Sequence, residues 1–227
     1  MTSKKPLPAA KRSRILILDD HLMTRYGIAR LIEQERDLAV CGEAASAQPA
    51  LAAVKALKPH LVLADLTLPG SEGLEFIKNM RTLHPEVAVL VVSMHDEVLY
   101  AERALRAGAR GYIMKNEGGE KLVEAIRQVL QGKTYLSDSM SGRVLDLFST
   151  NRRRSDDSTL GKLTDREFEV FRLLGQGMTT REIGERLRLS SKTVETHRLH
   201  VRQKFQLKSG PSLIKYAVRW AGSQDLI

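Results

Sequence analysis

Five short apolar runs alternate with longer stretches of helical period between residues 15 and 114. The runs cover residues 15–18, 38–41, 61–64, 87–92 and 111–114, and the fourth, VAVLVV, contains no polar residue. Runs of this kind are typical of strands that are buried on both faces of a parallel sheet. Helices between successive strands supply the right-handed crossovers of such a sheet. The pattern therefore predicts an α/β fold with a five-stranded, doubly wound parallel sheet.

The rest of the chain has a different character, and a length of 227 residues favours two domains. Residues 1–12 have no apolar period and predict a disordered basic arm, while residues 13–132 contain the predicted sheet. Residues 133–160 include the polar stretch NRRRSDDST and predict a linker, with a short helix at 139–148. Only helical signals occur in residues 161–227, where we expect a small all-α domain.

Positive charge is concentrated towards the two ends of the chain. The formal net charge is +9, and residues 161–227 contain 13 Lys and Arg against 7 Asp and Glu, whereas residues 13–135 contain 15 against 16. A domain that binds a polyanion explains this asymmetry, and a solvated basic surface explains it equally well.

Composition argues against two classes of protein. A single cysteine cannot close an intrachain disulfide, so the fold does not depend on an oxidising compartment. The longest apolar run is far shorter than the roughly 20 residues that cross a bilayer, and the N-terminus lacks the apolar core of a signal peptide. We therefore expect a cytoplasmic protein.

Helix-start signals divide the C-terminal segment into four predicted helices. Two capping boxes, a capping serine and a proline in a first turn mark the starts: Thr164 with Glu167, Thr179 with Glu182, Ser190 or Ser191, and Pro211.

Polar side chains follow four of the predicted strands. Asp19 and Asp20 follow the first run, Asp65 the third, Ser93 the fourth and Lys115 the fifth. The carboxyl ends of parallel strands share one edge of a sheet, so these side chains are expected to converge. Three carboxylates need a neutralising cation, and an all-oxygen site suits Mg²⁺. A carboxylate beside Mg²⁺ and a fixed lysine is also a suitable nucleophile toward phosphorus.

The stretches ILILDDH, LVLADLTLPG, VLVVSMH and GARGYIMK resemble, in order and spacing, the motifs of the receiver domain of two-component response regulators. The resemblance covers about residues 13–132 and implies a flavodoxin-like receiver. It implies that Asp65 is the phosphoacceptor and that a sensor histidine kinase is the phosphodonor. The implied Mg²⁺ ligands are Asp65, Asp20, Asp19 directly or through a water, and the backbone carbonyl of Thr67.

The same resemblance assigns a response to phosphorylation. Ser93 and Lys115 would bind the phosphoryl oxygens, and Tyr112 would turn inward as Ser93 moves toward the phosphate. A phosphoryl group carries nearly two negative charges and strong acceptor oxygens, which gives the hydroxyl and the ammonium new partners.

The C-terminal segment opens with LTDRE, has QG before its second predicted helix and carries TVETH in its third. It resembles the helix-turn-helix output domain of the NarL/FixJ (LuxR-type) regulators, which implies binding to double-stranded DNA.

Angular spacing on a helix over residues 191–206 separates two faces. Val194, Val201 and Phe205 fall on a core face. The expected DNA contacts lie on the opposite face, on its flanks and at the helix N-terminus: Ser191, Lys192, Thr193, Glu195, Thr196, Arg198, Leu199, Arg202 and Lys204. Leu199 suits a thymine methyl and Glu195 suits cytosine N4, while the cations suit phosphates. A solvent-exposed Glu195 with no base contact is equally consistent with the pattern.

The last predicted helix carries one apolar stripe, made of Leu213, Ile214, Ala217, Val218 and Ala221. Part of the stripe must close the small core, and the resemblance implies that the outer part pairs two copies on a palindromic site. We therefore expect a homodimer, with RNA polymerase as a further candidate partner.

Two other functions are weaker. A phosphatase of the haloacid-dehalogenase type would need an aspartate two residues after the nucleophile, where this chain has Thr67. A regulator that has lost phosphorylation would lack Asp19, Asp20, Asp65 or Lys115, and all four are present. We therefore expect a phosphorylation-controlled transcription factor and not an enzyme.

Overall fold

A computed structural model of the chain describes residues 12–68, 73–94, 97–137, 140 and 160–222. These residues form two compact units, one that ends at residue 140 and one that begins at residue 160. The predicted arm therefore lies outside the described residues except for Arg12, as does most of the predicted linker with its short helix.

The first unit is built on a parallel sheet of five strands, as the sequence predicts. The strands are β1 (Ser13–Leu18), β2 (Leu38–Ala44), β3 (Leu61–Ala64), β4 (Ala88–Ser93) and β5 (Gly111–Met114). Their order across the sheet is β2-β1-β3-β4-β5. The chain reverses its winding direction at β1 and β3, so the doubly wound topology is confirmed, with its switch point between those two strands.

Helices cover both faces of this sheet. They are α1 (Leu22–Glu33), α2 (Ala47–Leu57), α3 (Gly73–Leu83), α4 (Glu97–Ala107) and α5 (Gly119–Leu130). Helices α1 and α5 contact each other on one face, while α3 contacts both α2 and α4 on the other. Ile15, Ile17 and Leu63 of the sheet pack against Ile32 and Ile126 of the first helix layer. The apolar runs are thus buried on both sides, which explains their lack of polar alternation.

The carboxyl ends of the strands lie side by side. Leu18 pairs with Ala64 and Ser93 pairs with Met114 in the two parallel registers. Backbone hydrogen bonds continue one residue past the strands, from the amide of Asp65 to Leu18 (2.8 Å) and from the amide of Lys115 to Ser93 (2.8 Å). The sheet edge therefore fixes the positions from which the polar side chains project.

The chain stays attached to this unit beyond residue 132, where the sequence predicts the linker to begin. The amide of Tyr112 donates to the carbonyl of Tyr135 (3.0 Å), and the amide of Tyr135 donates to Arg110 (3.1 Å). Two residues further, Ser137 donates its amide (2.9 Å) and its hydroxyl to the buried carboxylate of Glu97 at the start of α4. The first part of the predicted linker thus contacts β5 and α4.

Between residues 160 and 222, the part of the second unit that the structure describes, four helices lie at the predicted positions. They are α6 (Asp165–Gly175), α7 (Thr180–Leu187), α8 (Ser191–Lys204) and α9 (Gly210–Gly222). Both capping boxes form, Ser190 caps α8 by accepting from the amide of Thr193 (3.0 Å), and Pro211 lies in the first turn of α9. The predicted helix starts are therefore confirmed.

An aromatic cluster holds α6, α8 and α9 together. The ring of Phe171 on α6 lies 5.1 Å from Phe205, 5.9 Å from Tyr216 and 5.1 Å from Trp220, measured between ring centroids.

Of the helices that the structure describes in either unit, none is both long and apolar enough to cross a membrane.

Candidate functional site

Three aspartates meet at the carboxyl edge of the sheet. Asp19 and Asp65 are almost completely buried, with 2% of each exposed, whereas Asp20 is exposed. One ligand atom from each of Asp19, Asp20, Asp65 and the neighbouring His21 lies within 4.8 Å of the others. The sequence predicted the three carboxylates, and the imidazole of His21 lies beside them.

Lys115 bridges the two buried carboxylates. Its Nζ lies 2.6 Å from Asp19 Oδ2 and 2.7 Å from Asp65 Oδ2. Burial of the ammonium works to lower the pKa of Lys115, but its hydrogen bonds to the two carboxylates outweigh that effect and the pKa is raised. Lys115 is therefore a fixed positive charge at neutral pH and holds both acceptor groups in one orientation.

Loop amides hold the second oxygen of each buried carboxylate. Asp19 Oδ1 accepts from the amide of His21 (2.8 Å), and Asp65 Oδ1 accepts from the amide of Thr67 (3.0 Å). Aspartates commonly make this contact with the backbone two residues on, because the side chain is short enough to close the turn. The contact that the structure shows for Thr67 is therefore made by its backbone amide, whereas the predicted Mg²⁺ ligand is its carbonyl.

Two residues that the sequence analysis did not select support the aspartates. His21 places Nδ1 2.7 Å from Asp20 Oδ1. Arg25, on the first turn of α1, donates to the carbonyl of Asp19 (2.7 Å) and contacts Glu43 Oε2 on β2 (3.1 Å). The adjacency of His21 to the aspartate pair was a readable signal. No such signal marked Arg25 in the sequence, because its partner Glu43 on β2 is 18 residues away.

Ser93 and Tyr112 are both fully buried on the neighbouring strands β4 and β5. Ser93 ends β4 and accepts the amide of Lys115 through its carbonyl, so the hydroxyl-bearing residue and the lysine are directly linked. Tyr112 is completely inaccessible to solvent in this structure.

The second unit presents α8 with one buried and one exposed side. Val194 and Val201 are fully buried, and Phe205 packs against Phe171, as the predicted core face requires. On the opposite side Lys192, Glu195, Thr196 and Leu199 are exposed, and 41% of Leu199 is accessible.

Several of the predicted DNA contacts already have partners within the protein. Lys204 Nζ contacts Glu167 Oε2 (2.5 Å) and the carbonyl of Lys162 (3.0 Å). Arg198 contacts Glu195 Oε1 (2.5 Å), and only 18% of the arginine side chain is exposed. Ser190 and Thr193 share a hydrogen bond of 2.7 Å at the helix start. Ser191 is exposed and Arg202 is half-buried.

Helix α9 divides its apolar stripe between two environments. Leu213, Ala217 and Ala221 are buried in the domain core, whereas Ile214 and Val218 are 40% and 39% exposed. The exposed pair is one helical turn apart and forms a small apolar surface that the domain core does not use.

Comparisons with known proteins match both units. The model of the response regulator receiver domain matches residues 15–127, and that of the bacterial regulatory proteins of the luxR family matches residues 161–217. The oxygen regulatory protein NreC of Staphylococcus carnosus (strain TM300) is 35% identical over 210 residues, which are 91% of this chain and 97% of that protein.

Solved structures show the same fold. A two-component response regulator of the LuxR family from Aurantimonas sp. SI85-9A1 is 34% identical with a TM-score of 0.57, over 62% of this chain and 100% of that chain. RcsB from Salmonella enterica serovar Typhimurium, bound to promoter DNA with the phosphomimetic BeF3⁻, has a TM-score of 0.64 at 23% identity, over 92% of this chain and 99% of that chain.

Proposed function

Because this chain belongs to the two-component response regulators with a LuxR-type DNA-binding domain, we propose that a sensor histidine kinase phosphorylates it on Asp65. Regulation of transcription through DNA is the general function of this family and of this chain. The contact of Lys115 with both Asp19 and Asp65 is the observation that carries the proposal for the site.

Asp65 is the proposed nucleophile. One carboxylate oxygen forms a bond to the phosphorus of a phosphohistidine, the phosphorus–nitrogen bond breaks, and the leaving imidazole keeps the electron pair and takes a proton from solvent. The product is an acyl phosphate on Asp65. Lys115 and the amide of Thr67 hold the carboxylate in place before the transfer, which lowers the cost of orienting it.

We assign Mg²⁺ binding to Asp19, Asp20 and Asp65, with the carbonyl of Thr67 as a fourth protein ligand. The donor chemistry fits, because carboxylate oxygens within 4.8 Å of one another are hard ligands that suit this ion. Bound Mg²⁺ would offset the negative charge that accumulates when an anionic phosphodonor approaches the carboxylates.

Phosphorylation changes what surrounds Lys115 and Ser93. The acyl phosphate carries about two negative charges where the Asp65 carboxylate carried one, and its oxygens compete with Asp19 for the ammonium. We assign the Ser93 hydroxyl as the second phosphoryl partner and Tyr112 as the aromatic that responds. Their location on adjacent strands supports a coupled movement.

An exposed apolar surface beside the acidic pocket supports a protein phosphodonor. Leu22, Met23 and Tyr26 at the start of α1 are 67%, 78% and 54% exposed. Grouped apolar side chains of this kind favour a protein contact, and here they begin two residues after Asp20 in the chain.

The second unit is proposed to bind DNA as a dimer. Helix α8 would lie in the major groove, with Thr196 and Leu199 near base edges and with Ser191, Lys192, Thr193 and Arg202 near phosphates. Ile214 and Val218 are proposed to pair two copies. RNA polymerase is a further proposed partner of the bound dimer.

Intact mass tests the phosphorylation step. The full chain treated with acetyl phosphate and Mg²⁺ should gain one phosphoryl group, and Asp65→Asn should gain none. Asp37→Asn is the matched control, since Asp37 lies outside the acidic pocket and pairs with Arg127 at a distance of 2.7 Å. Undiminished labelling of Asp65→Asn would refute the assignment.

Analytical ultracentrifugation of the protein bound to DNA tests the dimer, because it counts the copies on each site. Val218→Asn should bind a palindromic site as a monomer with reduced affinity, because a polar side chain replaces half of the apolar pair. Leu83→Asn, at an exposed apolar position on α3, should behave like the wild type. Dimeric binding by Val218→Asn would show that Ile214 and Val218 do not form the dimer contact.

A further inference from the structure

A closed triangle of hydrogen bonds joins α8 to α7. Glu195 Oε1 accepts from the hydroxyl of Thr180 (2.7 Å) and from Arg198 Nη1 (2.5 Å), and the same Arg198 nitrogen donates to the Thr180 hydroxyl (2.5 Å). Glu195 and Arg198 belong to α8, whereas Thr180 is the first residue of α7. The sequence predicted none of these contacts.

We propose that Thr180 and Arg198 are positioning residues that fix Glu195 to read an exocyclic amino group of a base, on cytosine or adenine, in the major groove. This inference rests on the proposed function, in which α8 enters that groove. It assigns a specificity role to Thr180 and replaces the predicted phosphate contact of Arg198 with a contact inside the domain.

The two oxygens of the Glu195 carboxylate have different surroundings. Oε1 receives both hydrogen bonds of the triangle, and among the described residues Oε2 accepts none. The side chain of Glu195 is 56% exposed, while that of Arg198 is 18% exposed. The arginine is largely shielded where it contacts Thr180 of α7, and the half-exposed carboxylate keeps one oxygen that accepts no hydrogen bond from the described residues. Base amino groups are the major-groove donors that such an acceptor can bind.

The charges explain why the triangle is needed. A carboxylate on a surface that meets DNA is repelled by the phosphates unless a cation compensates it. Arg198 supplies that charge at contact distance, so the pair as a whole is neutral. Thr180 adds an anchor on a different helix, which restricts the carboxylate to one orientation before DNA binds. An acceptor fixed in advance loses less conformational entropy on binding and discriminates more sharply between bases.

A purely structural role makes a different prediction. If the triangle only joins α7 to α8, loss of the Thr180 hydroxyl lowers stability and weakens binding to every DNA sequence alike. If Arg198 contacts a phosphate, its loss is also uniform and reduces the salt dependence. A positioning role instead confines the loss to the base pair that Glu195 reads.

A DNA site is first selected from a random pool with the wild-type chain, and competition binding of the full chain to a library of single-base variants of that site then separates these roles. Glu195→Gln should lose preference at one base pair by about tenfold, the effect of one base contact. Thr180→Val, which keeps the β-branched shape without the hydroxyl, and Arg198→Met should each lose at least about threefold at that same base pair. Thr180→Ser restores the hydroxyl and should restore the preference.

Controls make each outcome decisive. Glu185→Gln, on the exposed side of α7 where Glu185 pairs with Arg181 at 3.0 Å, should leave all preferences unchanged. Fluorescence of Trp220, the single tryptophan of the chain, checks that each variant is folded. Loss of preference in Glu195→Gln but not in Thr180→Val and Arg198→Met overturns the positioning roles alone. An unchanged Glu195→Gln overturns the base contact, and a wild type without sequence preference overturns the proposed DNA function itself.

Discussion

Replacing Lys115 with methionine should strongly destabilise the receiver in the absence of divalent cations. The ammonium contacts Asp19 Oδ2 and Asp65 Oδ2 at 2.6 and 2.7 Å, and both aspartate side chains are almost completely buried. Removing one partner of a buried ion pair leaves an uncompensated charge and costs about 3–5 kcal/mol. We expect a loss near the lower end, about 3 kcal/mol, because loop amides still donate to the other oxygens of both carboxylates.

Amide hydrogen exchange of β1 and β3 in magnesium-free buffer measures this loss within the full chain. Lys121→Met is the matched control: its ammonium pairs with Glu117 at 3.1 Å but is 59% exposed, and surface pairs of this kind contribute about 0–1 kcal/mol. Added Mg²⁺ should restore part of the stability of Lys115→Met by supplying a counter-charge. The variant should also lose more of the DNA response to phosphorylation than of phosphorylation itself. A destabilisation below about 1 kcal/mol without Mg²⁺ would refute the reasoning.

Two further predictions concern stability. Burial acts to raise the pKa of Glu167, but hydrogen bonds from Lys204 and the capping residue Thr164 outweigh it and lower the pKa below its ordinary value of 4.5. Ionised Glu167 therefore stabilises the folded state above about pH 4.5, and this stabilisation is lost as the pH falls through the depressed pKa. Glu167→Gln should flatten the dependence of the unfolding free energy on acid pH, measured by Trp220 fluorescence. Gly108→Ala should lower the receiver's unfolding free energy by about 1–3 kcal/mol in urea titrations, since Gly108 has a φ of +123°, whereas Gly27→Ala in the open middle of α1 should raise it by about 0.5–1 kcal/mol.

The fold and the acidic pocket were readable from sequence because both depend on local pattern. Each strand is a run of neighbouring apolar residues, and Asp19, Asp65 and Lys115 directly follow their strands, so the parallel topology alone brings them together. The end of the receiver was less readable. Tyr135 joins the sheet through a pairing with β5 that depends on the tertiary fold, and its neighbours carry no strand pattern.

The DNA-binding surface shows the limit of helical periodicity. Angles along α8 correctly separate buried Val194 from exposed Leu199, because burial depends on the face of the helix. Periodicity does not show which charged side chains already have partners on other helices. Lys204 pairs with Glu167, which is 37 residues away, and Arg198 reaches a threonine 18 residues away. A carboxylate paired with a cation cancels part of the positive charge that the phosphates would meet, so charge counted along α8 overstates its attraction for DNA.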